Sequence, residues 1–380
     1  MRVEQTHWTR DSGWQPHTPG GRGLRAGLVL VFGSPSALAA DGLLAGIQTA
    51  HPAAFVTGCS TAGEICGDGV LDDSVVVTAI ELAHTQVVGA SVNLDEFGSS
   101  AEAGAALASR LPRHDSLRHV LVFSEGKQVN GSDLVRGITN GLPTTLAVTG
   151  GLSGDGARFE HTSVLVGGEL REHAVVAVAF YGDRLHVGYG SLGGWDPFGP
   201  DRIVTRSSGN VLYELDGQSA LALYKRYLGD QARDLPASGL LFPLSIRKEA
   251  SDQWVVRTIL GVNDADESLT FAGDIPEGWY ARLMKANFDR LIDGAVGAAK
   301  ISHDAIGPGG AQFALLISCV GRKMVLQQRV EEEIEGVRDV IGPGVVMAGF
   351  YSYGEISPFT RSARCELHNQ TMTITTFAER

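Results

Sequence analysis

Three stretches of this chain place a hydroxyl and a carboxylate just beyond a glycine that ends an apolar run. Gly58-Cys59-Ser60-Thr61-Ala62-Gly63-Glu64-Ile65 follows Phe55-Val56-Thr57, and Gly349-Phe350-Tyr351-Ser352-Tyr353-Gly354-Glu355-Ile356 follows Val345 to Ala348. A looser copy, Gly150-Gly151-Leu152-Ser153-Gly154-Asp155, lies between them. Glycine permits a turn or a close backbone approach, and open α/β sheets bind ligands beyond their strand ends. One such stretch reads as an ordinary capped turn. Three in one chain point to a shared recognition site, with Cys59, Ser60, Thr61, Glu64, Ser153, Asp155, Tyr351, Ser352, Tyr353 and Glu355 as candidate ligand contacts. Arg322, at a strand-to-helix junction in Cys319-Val320-Gly321-Arg322-Lys323, is placed to pair with a ligand carboxylate or with Glu355.

A catalytic reading of the same residues asks for more than they supply. A nucleophilic Cys59 needs a base or a positive neighbour, and no motif ties it to His51, the histidine nearest in sequence. The C-terminal copy carries Phe350 in its place, so a buried, inert thiol is expected. The three acids are expected to hold an amine, a guanidinium or the amides of the turns rather than to act as an acid–base pair. The sequence contains no Walker loop, Gly-x-Gly-x-x-Gly turn, Gly-x-Ser-x-Gly elbow or His-Glu-x-x-His motif. A binding protein rather than an enzyme is expected, and a hydrolase using Cys59 or Ser60 stays open as an alternative.

Composition narrows the partners. The 380 residues carry a formal net charge of -12, which opposes binding to nucleic acid and to anionic membranes. No apolar run approaches the roughly 20 residues that a membrane span needs, and the polar N-terminus does not read as a signal peptide. A cytoplasmic protein with reduced thiols is expected from the four scattered cysteines.

The candidate residues must be positioned by strands and helices. Residues 1–22 read as a mobile arm. Leu24 to Phe32, His119 to Ser124 and Phe313 to Ser318 read as buried strands. Asp41 to Ala50, Ser132 to Leu142 and Met324 to Ile341 read as helices, each leading to a short strand and one of the glycine turns. Val70 to Leu82 with Gln86 to Val92 reads as an antiparallel pair, and Ala174 to Phe180 with Leu185 to Gly190 as another. Trp279 to Lys300 reads as a long helix with a Met284/Phe288 core stripe, and Cys365 to Phe377 as one closing strand. The fold class is α/β: two related halves with mixed, helix-flanked sheets and an internal duplication. The domain division is residues 1–22, 23–217 and 218–380.

The strings around Glu64 and Glu355 resemble the two signature stretches of the FIST family, a bacterial and archaeal sensory module with N- and C-terminal halves. Gly150-Gly151-Leu152-Ser153-Gly154-Asp155-Gly156, Ser318 to Lys323 and Leu367-His368-Asn369-Gln370-Thr371 agree in order, and the resemblance runs from about Leu24 to Phe377. It implies a sensor of small molecules such as amino acids, which passes its signal to a separate partner, for example a histidine kinase or a cyclase. Some FIST proteins are haem-binding nitric-oxide sensors, and that alternative needs an axial histidine. His161, His51 and His368 are the candidates here.

Overall fold

The computed structural model describes residues 1–249, 254–358 and 364–380. Its core is one strand–helix–strand unit built three times. The chain opens with β1 (Arg2–Thr9). The first unit follows as β2 (Leu28–Gly33), α1 (Leu43–Ala50), β3 (Phe55–Ser60), the hairpin β4 (Glu64–Cys66) and β5 (Gly69–Leu71), then β6 (Ser74–Glu81) and β7 (Gln86–Asn93). After α2 (Ser100–Ser109) the second unit repeats this order. It runs β8 (Leu117–Ser124), α3 (Gly131–Asn140), β9 (Val148–Leu152), the hairpin β10 (Val164–Val166) and β11 (Glu169–Arg171), β12 (Ala174–Tyr181) and β13 (Leu185–Leu192).

An insertion then builds an eight-stranded sheet that includes β14 (Asp196–Ser208), β15 (Leu244–Arg247), β16 (Val255–Arg257) and β17 (Tyr280–Lys285), with α4 (Ala220–Leu228) packed on it. The third unit follows α5 (Phe288–Ile306). It comprises β18 (Phe313–Cys319), α6 (Val330–Ile341), β19 (Val346–Ser352), the hairpin β20 (Gly354–Pro358) and β21 (Cys365–His368), and β22 (Met372–Glu379).

Each unit's first two strands lie parallel, joined by the helix that a parallel crossover requires. The units then exchange strands in a cycle. Each glycine turn sends its hairpin into the neighbouring sheet, so that β4 pairs with β19, β10 with β3, and β20 with β9. The three sheets share one order: β11-β10-β3-β2-β6-β1, β21-β20-β9-β8-β12-β7 and β5-β4-β19-β18-β22-β13. The sixth strand of the second and third sheets comes from the preceding unit; β1 takes that place in the first sheet, where Gly13–Gln15 adds a seventh strand outside it.

The internal repetition expected from the glycine turns is therefore present, and it extends to the loosest copy. Phe32, Phe123 and Phe350, one from each sheet, meet at the centre with ring centroids 4.7–6.1 Å apart. They anchor a fully buried cluster with Cys59, Ile317 and Leu121.

Several local expectations are corrected. Residues 1–22 are no free arm, because Arg2–Thr9 pairs along its whole length with β6 and tucks Glu4 and Thr6 inside. The two expected antiparallel pairs do not form. β6 and β7 lie in different sheets, as do β12 and β13, because each second strand is passed to the next sheet. Tyr280–Lys285 is a strand between β14 and β15, so Met284 does not belong to a helical stripe, and α5 starts only after Asn287 caps it. Gln327, at φ 48, separates a short helix, Val320–Leu326, from α6. The closing stretch is two strands, with Asn369 to Thr371 as the turn between sheets.

Candidate functional site

The three glycine turns do converge. At their centre the backbone closes a ring of three equivalent hydrogen bonds. Ala62 N donates to Tyr351 O at 2.9 Å, Tyr353 N to Leu152 O at 3.3 Å, and Gly154 N to Ser60 O at 2.9 Å. Each donor lies four residues after its glycine and each acceptor two residues after.

Around this ring the candidate residues are packed out of solvent. Cys59, Ser60, Thr61, Glu64, Ser153, Asp155, Arg322, Tyr351, Ser352, Tyr353 and Glu355 are all at most 1% exposed. Glu64 accepts from Thr61 Oγ1, Ser74 N and Ser74 Oγ. Glu355 repeats the clamp, accepting from Ser352 Oγ at 2.6 Å and from Thr371 N and Oγ1 at 3.1 and 2.9 Å. Asp155 accepts the amides of Phe159, Glu160 and His161 and the Tyr353 hydroxyl. Arg322 pairs with Glu333, not with Glu355.

The candidate residues thus meet in a packed knot in which Thr61, Glu64, Asp155, Arg322, Tyr351, Ser352, Tyr353 and Glu355 hydrogen-bond to the chain itself, while the buried Ser153 Oγ has no such partner. Burial also pushes the Cys59 thiol far above its ordinary range, which disfavours the thiolate that a nucleophile needs. Ser60 Oγ is sealed and accepts from Ser163 N. The haem candidates lie on separate elements. His51 ends α1, His161 is exposed beside Glu172, and His368 donates from Nε2 to Ser357 O at 2.8 Å.

Burial raises Glu355 from its ordinary 4.5 to about 8 and Glu64 to about 7, against the opposing pull of their hydrogen bonds. The folded chain therefore keeps protons that the unfolded chain releases nearer 4.5. Stability from this source is full below the unfolded value. It falls as pH rises through 4.5 toward 7–8, by up to about 1.4 kcal/mol per pH unit for each carboxyl. Glu355→Gln mimics the protonated acid, with the amide donating to Ser352 and the oxygen accepting from Thr371. Urea melts from pH 5 to 9 are expected to show a shallower decline for this variant; an unchanged pH slope would contradict the buried proton.

Open space lies elsewhere, at the junction of the core with the inserted sheet. A cleft of about 520 Å³ is bounded on the core side by Ser191, Gly193, Trp195, His368, Asn369 and Thr371. The inserted sheet faces it with Ser245, Trp254, Val256, Arg282 and Met284. The core-side wall is held from behind by the third turn. Tyr353 O accepts from Asn369 Nδ2, Glu355 holds Thr371, and Trp195 Nε1 donates to Gln370 O. Tyr351 Oη donates to Glu333, which also binds Arg322, and Arg322 Nη1 donates to Gly193 O at 3.0 Å. Gly194, at φ 139, allows the loop to lie on α5, since a Cβ there would stand 2.1 Å from Arg290 O.

On the other wall, the guanidinium carbons of Arg247 and Arg282 lie 4.2 and 4.9 Å from the Trp254 ring centroid. Both arginines donate to the carboxylate of Asp201. Sequence reasoning missed this wall. Arg282 and Ser245 sit on two strands and Trp254 just before a third, with no common motif, and Trp195 lies in a Gly- and Pro-rich stretch. The one sequence signal was the string Leu367 to Thr371, whose His368, Asn369 and Thr371 do line the cleft.

Residues 27–218 match the FIST N domain and residues 220–358 the FIST C domain. The chain belongs to the FIST family. FIST domains are sensory, ligand-binding modules. The two FIST matches meet at residues 218–220, whereas the inserted sheet runs across that point from Asp196 to Lys285. A curated relative, uncharacterized protein MJ1623 of Methanocaldococcus jannaschii, is 24% identical over 317 residues, which are 76% of this chain and 59% of the relative. The chain thus spans less than two thirds of that relative's length. Two cyanuric acid hydrolase structures, one of them from A. caulinodans, align over 100% of this chain and 98–99% of theirs, with TM-scores of 0.39 and 0.35 at 7% and 9% identity. Among the described residues no helix is long and apolar enough to cross a membrane.

Proposed function

We propose that this FIST chain is a sensor that takes a small metabolite of about amino-acid size into the cleft between the core and the inserted sheet, and passes its occupancy to a separate signalling partner. The observation that carries the reading is the cleft itself. Its volume of about 520 Å³ falls in the range of small-molecule sites, about 300–1,000 Å³. It joins two bodies, so a ligand touching both walls favours one relative placement of them, and that differential contact is what a conformational signal requires.

Binding without chemistry fits the lining. Its hydroxyls are already engaged: Ser245 Oγ lies 3.0 Å from Met284 Sδ, Ser191 Oγ bonds Thr373 and Thr371, and Thr371 Oγ1 donates to Glu355. A histidine kinase or a cyclase is the kind of partner that reads such a module.

Mass spectrometry of small molecules released from the purified protein tests the reading, together with Val256→Trp, which fills the cleft from β16. The bound molecule and its melting-temperature shift are expected to disappear in Val256→Trp while the unliganded melt is kept. Ligand retention in the filled variant would move the site elsewhere.

A further inference from the structure

A sensor with a separate partner, the reading on which this inference rests, needs a surface for that partner. Two helices of the third unit provide one. α5 and α6 run side by side in the same direction. Arg329, at the start of α6, donates to Asp289 at the start of α5, and Gly336, midway along α6, meets Ile292 and Val296. A Cβ on Gly336 would stand 2.8 Å from Val296 Cγ2 and 3.9 Å from Ile292 Cγ2, so the two helices close tightly there. Helical spacing sets Phe288, Ile292 and Val296 along one line and Gly336 and Val340 along the facing one. Ile292, Val296 and Val340 are half-buried, and Phe288 is 48% exposed, the highest value among the described large apolar side chains. Together they form a shallow apolar groove open to solvent, with an aromatic ring standing at one end.

The rims of the groove are acidic. Asp289 and Asp293 follow it on α5, and Glu332, Glu335 and Asp339 on α6, all of them exposed. Against these five acids stand Lys300 and Arg329, and Arg329 is spent on Asp289 and Glu332. Five acids to two bases is a steeper ratio than the 43 to 31 of the whole chain. The first turns of α5 also carry the lip of the cleft. Arg322 donates to both Leu291 O and Gly193 O, and Gly194 lies on Arg290 O. A partner seated in the groove therefore touches the helix on which the cleft's loop rests.

We propose that the groove between α5 and α6 is the partner surface, and that its occupant is a basic amphipathic helix of the partner. The apolar stripe of that helix lies on Phe288, Ile292, Val296 and Val340, and its lysines or arginines meet the acids of both rims. A helix laid in an apolar groove is a recurrent mode of recognition. Exposed aromatic side chains are enriched at the centres of interfaces, and rim charges of one sign steer a partner of the other.

Labelled peptides test this on the full chain by fluorescence anisotropy. The probes are an amphipathic helical peptide of leucine and lysine and its counterpart with glutamate in place of lysine. The lysine peptide is expected to bind, more weakly as salt rises, and the glutamate peptide not to bind. Phe288→Ser and the pair Glu335→Lys/Asp339→Lys are each expected to weaken binding tenfold or more. The pair Asp11→Lys/Asp41→Lys makes the same change of charge on exposed acids of the first unit, and is expected to leave binding unchanged. All of these positions are exposed, and circular-dichroism melts report the fold of each variant. Equal weakening by the two charge-reversed pairs would reduce the effect to general attraction by an acidic chain and overturn the proposal. Full binding in Phe288→Ser, equal binding of the glutamate peptide, or no binding of either peptide would overturn it as well. None of these outcomes touches the cleft, which the comparison of co-purified ligand in Val256→Trp tests separately.

Discussion

Gly150→Ala is expected to yield no soluble, folded protein, and Gly58→Ala and Gly349→Ala the same. A Cβ at these positions would stand 1.9 Å from Val122 O, 1.8 Å from Val31 O and 1.8 Å from Leu316 O. In each case the obstacle is the backbone of the parallel partner strand, which cannot turn aside as a side-chain tip can. Relief would require parting the two strands that carry the turn and, with them, the ring of backbone bonds joining the three units. Such a loss exceeds the 4–5 kcal/mol that already marks an exceptional substitution, against a typical total of about 5–15 kcal/mol. Gly46→Ala is the control: a Cβ there meets open space within α1, and alanine should stabilise by about 0.5–1 kcal/mol. Soluble yield and circular-dichroism melts of the four variants check this. A Gly150→Ala protein melting like the parent would disprove the close-approach role.

Glu333→Ala is expected to destabilise by about 3–5 kcal/mol, the usual cost of stranding one member of a buried ion pair. Arg322 and Glu333 are both 0% exposed, with Arg322 Nη2 2.8 Å from Glu333 Oε2. Removing the carboxylate strands the guanidinium and takes the acceptor from Tyr351 Oη and Ser318 Oγ. Arg322 also holds Gly193 O at the lip of the cleft, so ligand affinity should fall together with stability. The double variant Arg322→Met/Glu333→Leu is expected to recover much of the stability, because packed apolar side chains replace a buried pair at little net cost. Its affinity should stay low, since nothing then holds Gly193. Chemical denaturation of the three variants, with ligand titration, measures both effects. A single variant within about 1 kcal/mol of the parent would remove the pair from the core's support.

The glycine turns show how one pattern can serve the backbone as well as suggest a site. Their spacing reported a real repetition, including the degraded copy at Gly150, because each unit needs a glycine where parallel strands touch. The hydroxyl and acid that follow looked like a ligand's contacts. Ser352 and Glu355 have the types a recognition site uses, but a local string cannot show that Thr371, 16 residues on, completes their hydrogen bonds. Arg322 is a similar case: its partner Glu333 stands 11 residues away on the next helix.

By itself the sequence determined the α/β class, the repeated strand–helix–strand units, the FIST membership and the closeness of the three turns. The class and the units are written in local periodicity and the turns in glycines whose backbone demand is local, while the family rests on the resemblance of the ordered strings around Glu64, Ser153 and Glu355. Only the tertiary structure decided that β7, β13 and the hairpins pass to neighbouring sheets, since adjacent strands in sequence carry no mark of which edge they will join. It also decided that the turns are sealed while the open cleft lies against the inserted sheet. Trp195, Trp254, Arg282 and Thr371 come from four separate segments, and they line one cleft only because the insertion folds back onto the core.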